Sequence, residues 1–217
     1  MALRVSRFLP PRLKSALKRV RAAVRRAVGA RRLKKRLGKI AAPKIVVGAS
    51  GIFEPGWIPT DLEYLNLLRP EDWPRFFAEA SIGAILAEHV WEHLTPEEGL
   101  RAARQCHRFL HPGGYLRLAV PDGGNPDPTY IEQVKVNGTG SGADDHKVLY
   151  TGETLREMLQ QAGFTVTPLE YFDPQGKFHY TEWSPADGMV HRSRRFDERN
   201  QDGRLRYTSL IVDAFKR

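Results

Sequence analysis

Two histidines and a glutamate lie close together in the stretch AEHVWEHLTPEEGL, at residues 87–100. His89, Glu92 and His93 have the spacing H-x-x-E-H, which is typical of one class of zinc peptidase. In such a site both imidazoles bind the metal from one helical turn, and the carboxylate activates a water molecule. The segment therefore raises the question of whether this chain holds a catalytic zinc ion.

The elements around this motif do not suit a zinc peptidase. Residues 82–88 are mostly apolar and predict a buried strand that ends next to His89. Thr95, followed by Pro96 and two glutamates, predicts a helix start, because a hydroxyl N-cap, a proline and early carboxylates all stabilise a first turn. Too few residues remain between these elements for a helix that carries both histidines. We therefore expect no metal ion at this motif.

Strands and helices alternate along residues 43–217, as judged from apolar spacing and turn residues. Strands are predicted near residues 44–47, 57–61, 65–68, 82–87, 115–122, 165–172 and 206–216. Helices are predicted at residues 71–80, 96–110 and 151–162. This alternation predicts an α/β fold with a mostly parallel central sheet.

Small or polar residues follow several of these strands. Ligands of parallel sheets bind at the carboxyl ends of the strands, so we expect the functional site there. Small residues let a ligand approach the backbone closely, and a carboxylate can accept both hydroxyls of a ribose. The candidates at these strand ends are Gly48, Ala49, Ser50, Gly51, Asp61, Glu88, His89 and Asp122.

The composition is that of a globular protein, with 41% hydrophobic and 27% charged residues, but the charge is unevenly distributed. Residues 1–53 contain 16 of the 34 Lys and Arg residues and none of the 25 Asp and Glu residues, so the remainder is acidic. Cys106 is the single cysteine, which excludes an intramolecular disulfide and favours a reducing compartment. The sequence lacks a run of about 18 apolar residues and the apolar core of a secretory signal. These features predict a cytoplasmic protein.

The basic part is an N-terminal extension, residues 1–42, that precedes the strand predicted from the β-branched residues that follow Lys44. Its residues 10–39 have helical periodicity, with an apolar stripe on one face and Lys or Arg around the rest. Gly29 is predicted to interrupt this helix. The stripe consists of Leu13, Leu17, Val20, Val24 and Val28.

Three kinds of partner suit this basic helical arm. An anionic membrane surface attracts such a helix by about 1 kcal/mol per basic residue near the headgroups. Nucleic acid attracts it by counterion release, and the third alternative is a solvated arm without a specific partner. Phe8 is the only aromatic residue of the arm, which leaves little for base stacking. The sequence therefore favours peripheral contact with the inner face of a membrane over nucleic acid.

Several segments together resemble a compact branch of the class I S-adenosylmethionine-dependent methyltransferases. They are VVGASG, PGWIPTD, EHVWEHLTPEEGLRAARQCHRFLHPGGYLRLAVPD and DHKVLYTGETLREMLQQAGF. The resemblance extends from about Lys44 to Lys216 and implies a Rossmann-like methyltransferase fold with S-adenosylmethionine as cofactor. The link from Gly48 to Trp57 implies a trimmed first crossover, because a full crossover needs roughly 10–12 residues or more.

The resemblance also implies roles for the residues at the strand ends. Positions 48–51 would hold the methionine end of the cofactor, and Ser50 stands there where the family has Gly. Asp61, with Leu62 next to it, would bind the ribose hydroxyls. Glu88 and His89 would lie beside the sulfonium and the substrate entrance.

Methyl transfer to a hydroxyl benefits from a general base, and histidine suits neutral pH. His89 is a candidate because of its strand-end position. His146 is a second, because residues 141–150 are predicted to form a loop that returns to the site, and Asp122 is a third. An alternative is that these residues are structural.

The acceptor is less well defined than the cofactor. Residues 187–203 contain several arginines, which suits an anionic or sugar-bearing acceptor or, alternatively, a charged surface hairpin. Together with the basic arm, they favour a polar acceptor near a membrane, such as a glycan or its lipid-linked precursor. The main alternative is a catalytically silent, methyltransferase-like binding or scaffold protein.

Overall fold

A seven-stranded sheet organises the computed structural model, which describes residues 11–38 and 40–217. Its strands are β1 (Lys44–Val47), β2 (Trp57–Pro59), β3 (Ile82–Glu88), β4 (Leu110–Pro121), β5 (Thr165–Phe172), β6 (Phe178–Tyr180) and β7 (Ser209–Phe215). They are ordered β2-β1-β3-β4-β7-β5-β6. The first four in this order are parallel, whereas β7 is antiparallel to β4 and β5, and β6 is antiparallel to β5. The predicted mostly parallel α/β fold is confirmed.

Four α-helices accompany the sheet in the described part of the chain. They are α1 (Pro11–Leu37), α2 (Pro96–Phe109), α3 (Pro128–Val134) and α4 (Gly152–Gln161). The Thr95 side chain accepts a hydrogen bond from the Glu98 backbone, which confirms the predicted N-cap of α2. The Glu98 side chain accepts one from the Thr95 backbone in return, and this completes a capping box that was not predicted. The short α3 and strand β6 were not predicted.

The connection between β1 and β2 is short and contains no helix. Residues 48–56 pass directly from one strand to the next in parallel register, which confirms the trimmed first crossover. The helix α1 packs near this edge instead. Its Leu33 and Leu37 belong to the same apolar core as Ile45 of β1 and Ile58 of β2. The end of the basic extension is therefore part of the core of the domain.

The prediction that Gly29 interrupts the basic helix is wrong. Helix α1 runs without a break from Pro11 to Leu37. The glycine lies against the ring of Tyr64, and a Cβ atom at this position would come within 2.5 Å of two ring carbons. Gly29 therefore allows helix α1 to pack closely against Tyr64. The stabilisation from this packing outweighs the cost of about 1 kcal/mol that glycine has relative to alanine inside a helix.

Helix α1 has two apolar faces with different environments. Ala30, Leu33 and Leu37 are buried, whereas the valines of the predicted stripe are exposed, with Val20 and Val24 more than half exposed. At 100° per residue, the two sets lie on nearly opposite sides of the helix. Residues 1–10, residue 39 and the Leu13 side chain lie outside the described part. Among the described helices, none combines the length and apolarity needed to cross a membrane.

Two further predicted elements differ from the structure. Residues 65–68 form an irregular stretch and a turn rather than a strand, because the Asn66 side chain accepts the Leu68 backbone N–H and competes with strand pairing. The helix predicted at residues 71–80 is limited to a 3₁₀ segment, Pro70–Arg75. Pro74 within it has no backbone N–H to continue a helix.

The sheet has different covers on its two faces. Helices α1, α2 and α4 pack on the face that contains Ile45 and Ile85. The other face is covered by residues 181–208, which we call the C-terminal segment, through Trp183 and Val190. The Arg117 guanidinium donates to the Gly188 carbonyl at 2.8 Å and anchors this segment against the sheet.

A buried carboxylate attaches α1 to the body of the protein. Asp72 is completely buried and accepts hydrogen bonds from Arg26 of α1 at 2.6 Å and from Arg75 at 2.9 Å. The backbone N–H of Asn66 lies 3.3 Å from its second oxygen. Because charge-assisted hydrogen bonds are strong, this contact orients the basic helix on the domain.

We expect Arg26→Ala to lower the free energy of unfolding by about 1 kcal/mol, since Asp72 loses one of its two guanidinium partners while Arg26 itself is partly exposed to solvent. Arg25→Ala, at an exposed neighbouring position, is the matched control and should change stability by less than about 0.5 kcal/mol. Urea unfolding monitored by circular dichroism measures both variants. Equal effects of the two substitutions would contradict the docking of α1 through Asp72.

Candidate active site

A cavity of about 530 Å³ opens at the carboxyl ends of the parallel strands. Val47, Glu88 and Pro121, at the ends of β1, β3 and β4, line it together with parts of the C-terminal segment and of residues 133–146. This volume lies in the range of about 300–1,000 Å³ found for small-molecule sites. The position at the strand ends agrees with the site predicted from the sequence.

The loop after β1 forms one wall of the cavity. Gly48, Ala49 and Ser50 line it, whereas Gly51 does not. Gly48 has a φ angle of +63°, and a Cβ atom there would lie 2.8 Å from a methyl group of Val90. Ser50 is also left-handed, with φ at 45°, a conformation that is uncommon for residues other than glycine. These small residues bring backbone close to the cavity, which fits the predicted binding of a cofactor.

Asp61 supports this loop through a hydrogen bond from outside the cavity. Its Oδ1 accepts the Ser50 backbone N–H at 3.1 Å, and burial raises the pKa of its carboxyl. Neither Asp61 nor Leu62 lines the cavity, and Leu62 is 66% exposed. The ribose contact implied for Asp61 stays a prediction, and the structure adds the role of shaping the Ser50 turn.

Glu88 joins the strand end to the C-terminal segment. Its Oε1 accepts the Arg192 backbone N–H at 2.7 Å, and its Oε2 accepts that of His191 at 3.1 Å. The side chain lines the cavity as predicted, but both oxygens are engaged with backbone. Glu88 therefore holds the C-terminal segment beside the cavity, and its contact with the cofactor stays a prediction.

His89 is held by hydrogen bonds in a left-handed backbone conformation, with φ at 53°. Its Nε2 lies 3.0 Å from the Ser209 hydroxyl, which donates its own hydrogen to the Arg192 carbonyl at 2.7 Å. The hydroxyl therefore accepts from His89, so Nε2 carries a hydrogen. Nδ1 lies 2.9 Å from Glu92 Oε1, although the angles do not make this a hydrogen bond. Both ring nitrogens thus have protein neighbours.

His146 is buried and lines the same cavity, as the predicted return of its loop requires. Its Nδ1 lies 2.7 Å from the Val134 carbonyl oxygen of α3. A carbonyl only accepts, so Nδ1 donates and Nε2 of the neutral ring keeps its lone pair. That nitrogen has a lone pair for a proton or a cation.

The H-x-x-E-H residues are not arranged as in a zinc peptidase. Trp91–His93 form a 3₁₀ turn, so the two histidines of the motif do not share an α-helical face. Glu92 and His93 instead approach His146, and one potential ligand atom of each lies within 4.8 Å of the others. His89 is not part of this group.

Asp122 lies at the end of β4 but outside the cavity lining. It is completely buried, and its oxygens accept backbone N–H groups of Gly124 and Phe172, both at 2.8 Å. Burial raises the pKa of this carboxyl to about 6. These contacts assign Asp122 to joining the β4 loop with β5, and they do not support its predicted role as a base.

The C-terminal segment contributes polar groups that strand-end reasoning missed. Arg192, Arg199 and Tyr207 line the cavity. The Arg199 guanidinium is held by Asp197 and lies 3.5 Å above the Tyr207 ring. The sequence signal for this polar wall of the cavity is the high density of arginines in the segment. The segment forms turns and short 3₁₀ helices rather than the alternative of a surface hairpin.

We expect wild-type stability relative to Asp122→Asn to fall as pH rises. The folded-state pKa of about 6 exceeds the ordinary value of 3.8, so the folded protein binds the proton more tightly than the unfolded chain. The resulting stabilisation is present at low pH and is lost by pH 7, a difference of about 2 kcal/mol between pH 4.5 and pH 7. Urea unfolding at several pH values measures it, and a pH-independent difference would contradict it.

Comparison with known proteins identifies the family. A methyltransferase domain family matches residues 41–169, more than half of the 217-residue chain. No curated protein matches. The site geometry agrees with the family match, because the small-residue loop and the cavity lie where the cofactor is expected.

Solved structures to which this chain is similar include three methyltransferases. A methyltransferase from Thermotoga maritima, described as a possible histamine N-methyltransferase, is 13% identical, with 94% of this chain and 96% of that chain covered and a TM-score of 0.47. One from Mesorhizobium loti is 14% identical, with coverages of 84% and 94% and a TM-score of 0.45. One from Archaeoglobus fulgidus is 13% identical, with coverages of 87% and 92% and a TM-score of 0.43.

All three TM-scores lie below 0.5, so the family match carries the assignment. It covers β1 to β4, the strands whose ends form the cavity. The chain belongs to the methyltransferase domain family and is an S-adenosylmethionine-dependent methyltransferase.

Proposed function

We propose that this methyltransferase acts on a polar acceptor, a glycan or its lipid-linked precursor, at the surface of an anionic membrane. One observation carries the proposal. The same cavity has a wall of small residues after β1 and, on the C-terminal segment, a wall with Arg192, Arg199 and Tyr207. Such a cavity offers room for a cofactor beside a polar acceptor.

The cofactor supplies an activated methyl group on its sulfonium, so the chain mainly has to bind and align the two reactants. Gly48, Ala49 and Ser50 would hold the methionine end, since their backbone is accessible from the cavity. Asp61 keeps the Ser50 turn in place through its hydrogen bond. The hydrogen bond between His89 Nε2 and the Ser209 hydroxyl holds the adjoining end of β3 in place.

The acceptor side favours hydroxyl-rich or anionic molecules. Arginine guanidinium groups form bidentate hydrogen bonds with anionic oxygens. Burial raises the pKa of Tyr207, so its hydroxyl remains a hydrogen-bond donor at neutral pH. The contact with Asp197 restrains Arg199, which reduces the conformational entropy lost when an acceptor binds.

Helix α1 suits an anionic membrane as the place where the acceptor is presented. Its exposed valines lie opposite the face that docks on the domain, and basic residues surround them. Each basic residue near the headgroups contributes about 1 kcal/mol. Residues 11–37 contain no aromatic residue for stacking on bases, which favours a membrane over nucleic acid.

We expect Gly48→Ala to weaken S-adenosylmethionine binding by about tenfold or more. The new Cβ would clash with Val90, and an alanine at positive φ costs about 1–2 kcal/mol. Gly113→Ala is the matched control. Gly113 also has a positive φ, at +84°, but a Cβ atom there would meet no atom of the described residues within 4 Å, and Gly113 does not line the cavity. Calorimetry with S-adenosylmethionine and S-adenosylhomocysteine measures both variants. Absence of binding to the unaltered protein would instead favour the scaffold alternative.

We expect methyl label from S-adenosylmethionine to enter a lipid-linked glycan fraction presented in anionic vesicles. Replacing Val20, Val24 and Val28 by serine should lower this rate about tenfold through lost apolar contact, and leave the rate on the same fraction in detergent unchanged. The control replaces two exposed apolar residues of the body, Val136 and Leu205, by serine. Labelling of soluble metabolites alone would overturn the proposal.

A further inference from the structure

We propose that Glu92, His93 and His146 form a binding site for one divalent transition-metal ion of the Zn²⁺ class in the wall of the cavity. All three residues line the cavity, and each offers one ligand atom within 4.8 Å of the other two. Two imidazoles and one carboxylate are the protein ligands of one type of catalytic zinc site. This proposal does not depend on the identity of the acceptor.

Glu92 provides the strongest indication of a cation. Its side chain is 1% exposed, and neither carboxylate oxygen has a hydrogen-bond partner among the described residues. A buried carboxylate that lacks compensation is costly, so such groups are normally paired or bound to metal. His89 Nδ1 lies 2.9 Å from Oε1 as an ion-pair neighbour, but its angles are not those of a hydrogen bond, so both oxygens still lack a hydrogen-bond donor among the described residues.

The two histidines are oriented in the way that metal ligands require. His146 donates from Nδ1 to the Val134 carbonyl, which leaves the Nε2 lone pair for a ligand and resembles the outer hydrogen bond of metal-binding histidines. The rings of His93 and His146 meet edge to face, with centroids 5.0 Å apart. Asp145 Oδ2 lies 3.5 Å from His93 Nδ1, so a small shift would place a carboxylate behind this ring as well.

The backbone holds these side chains together although they come from distant segments. The Lys147 backbone N–H donates to the Glu92 carbonyl at 2.7 Å, directly beside His146. His93 closes the 3₁₀ turn that begins at Trp91, which is itself completely buried. The two segments are therefore connected independently of any bound ion.

The geometry leaves room for both binding and exchange of an ion. Ligand atoms in a tetrahedral zinc site are roughly 3.3 Å apart, so the three side chains, whose ligand atoms lie within 4.8 Å of one another, need to close by no more than about 1.5 Å around the ion. His93 is about one-third exposed and provides an entry path. Three protein ligands leave a coordination position open to the cavity, where an acceptor oxygen could bind and become more acidic.

The test is calorimetric titration of the full chain with Zn²⁺ after removal of metal with a chelator. We expect one ion per chain with a dissociation constant below about 1 μM, and little response to Mg²⁺, which prefers oxygen ligands. Bound Co²⁺ should show the visible absorption of a site with nitrogen ligands. A chain that binds neither Zn²⁺ nor Co²⁺ would overturn the proposal.

Variants locate the site. His146→Asn and His93→Ala should each weaken Zn²⁺ binding by about 100-fold or more, and Asn can still donate to the Val134 carbonyl. Glu92→Gln keeps the side-chain shape and should have the same effect. His111→Ala, at an exposed position outside the cavity, and His191→Ala, in the cavity but outside the group, are the controls and should retain binding.

Two control measurements separate loss of the metal site from loss of folding or of cofactor binding. Circular dichroism of the metal-free variants shows whether they are folded. If Glu92→Gln does not fold, His93→Ala tests the site in its place, because His93 is partly exposed. Titration of S-adenosylmethionine in the presence of chelator tests methyltransferase function separately from the metal. Zinc binding that survives both histidine substitutions would refute the site even if cofactor binding is normal.

Discussion

The buried ion pair between Arg117 and Asp213 determines how the two halves of the sheet meet. These residues lie directly opposite each other in β4 and β7, and the guanidinium donates to both carboxylate oxygens at 2.7 Å. A slip of one residue would move one charge to the other face, and an unpaired buried charge costs about 3–5 kcal/mol. The pair therefore fixes the register that places Ser209 opposite Pro121, at the edge of the cavity.

The cavity depends on this register and on contacts with the C-terminal segment. Arg117 also holds the Gly188 carbonyl, and a few residues further on Glu88 accepts the backbone of His191 and Arg192. Charged side chains at the sheet thus bind the backbone of an irregular segment and convert it into a wall of the site. This explains why a site for polar ligands is built on a segment with little regular secondary structure.

Helix α1 connects the basic N-terminal region to this acidic domain through one face. Leu33 and Leu37 enter the core, and Arg26 reaches the buried Asp72. The periodicity of the apolar residues predicted a helix correctly, but it singled out a stripe whose valines stay exposed. Helical periodicity reports amphipathicity and does not tell which of two apolar faces packs against the protein.

The sequence by itself determined the elements whose signals are local. Examples are the N-cap at Thr95, the alternation of strands and helices, and the small residues after β1. Only the tertiary structure decided that His146 lies beside Glu92 and His93, and that Asp122 accepts a hydrogen bond from the backbone of β5. These relations depend on hydrogen bonds and packing between segments far apart in the chain, and such contacts leave no periodic pattern in the sequence.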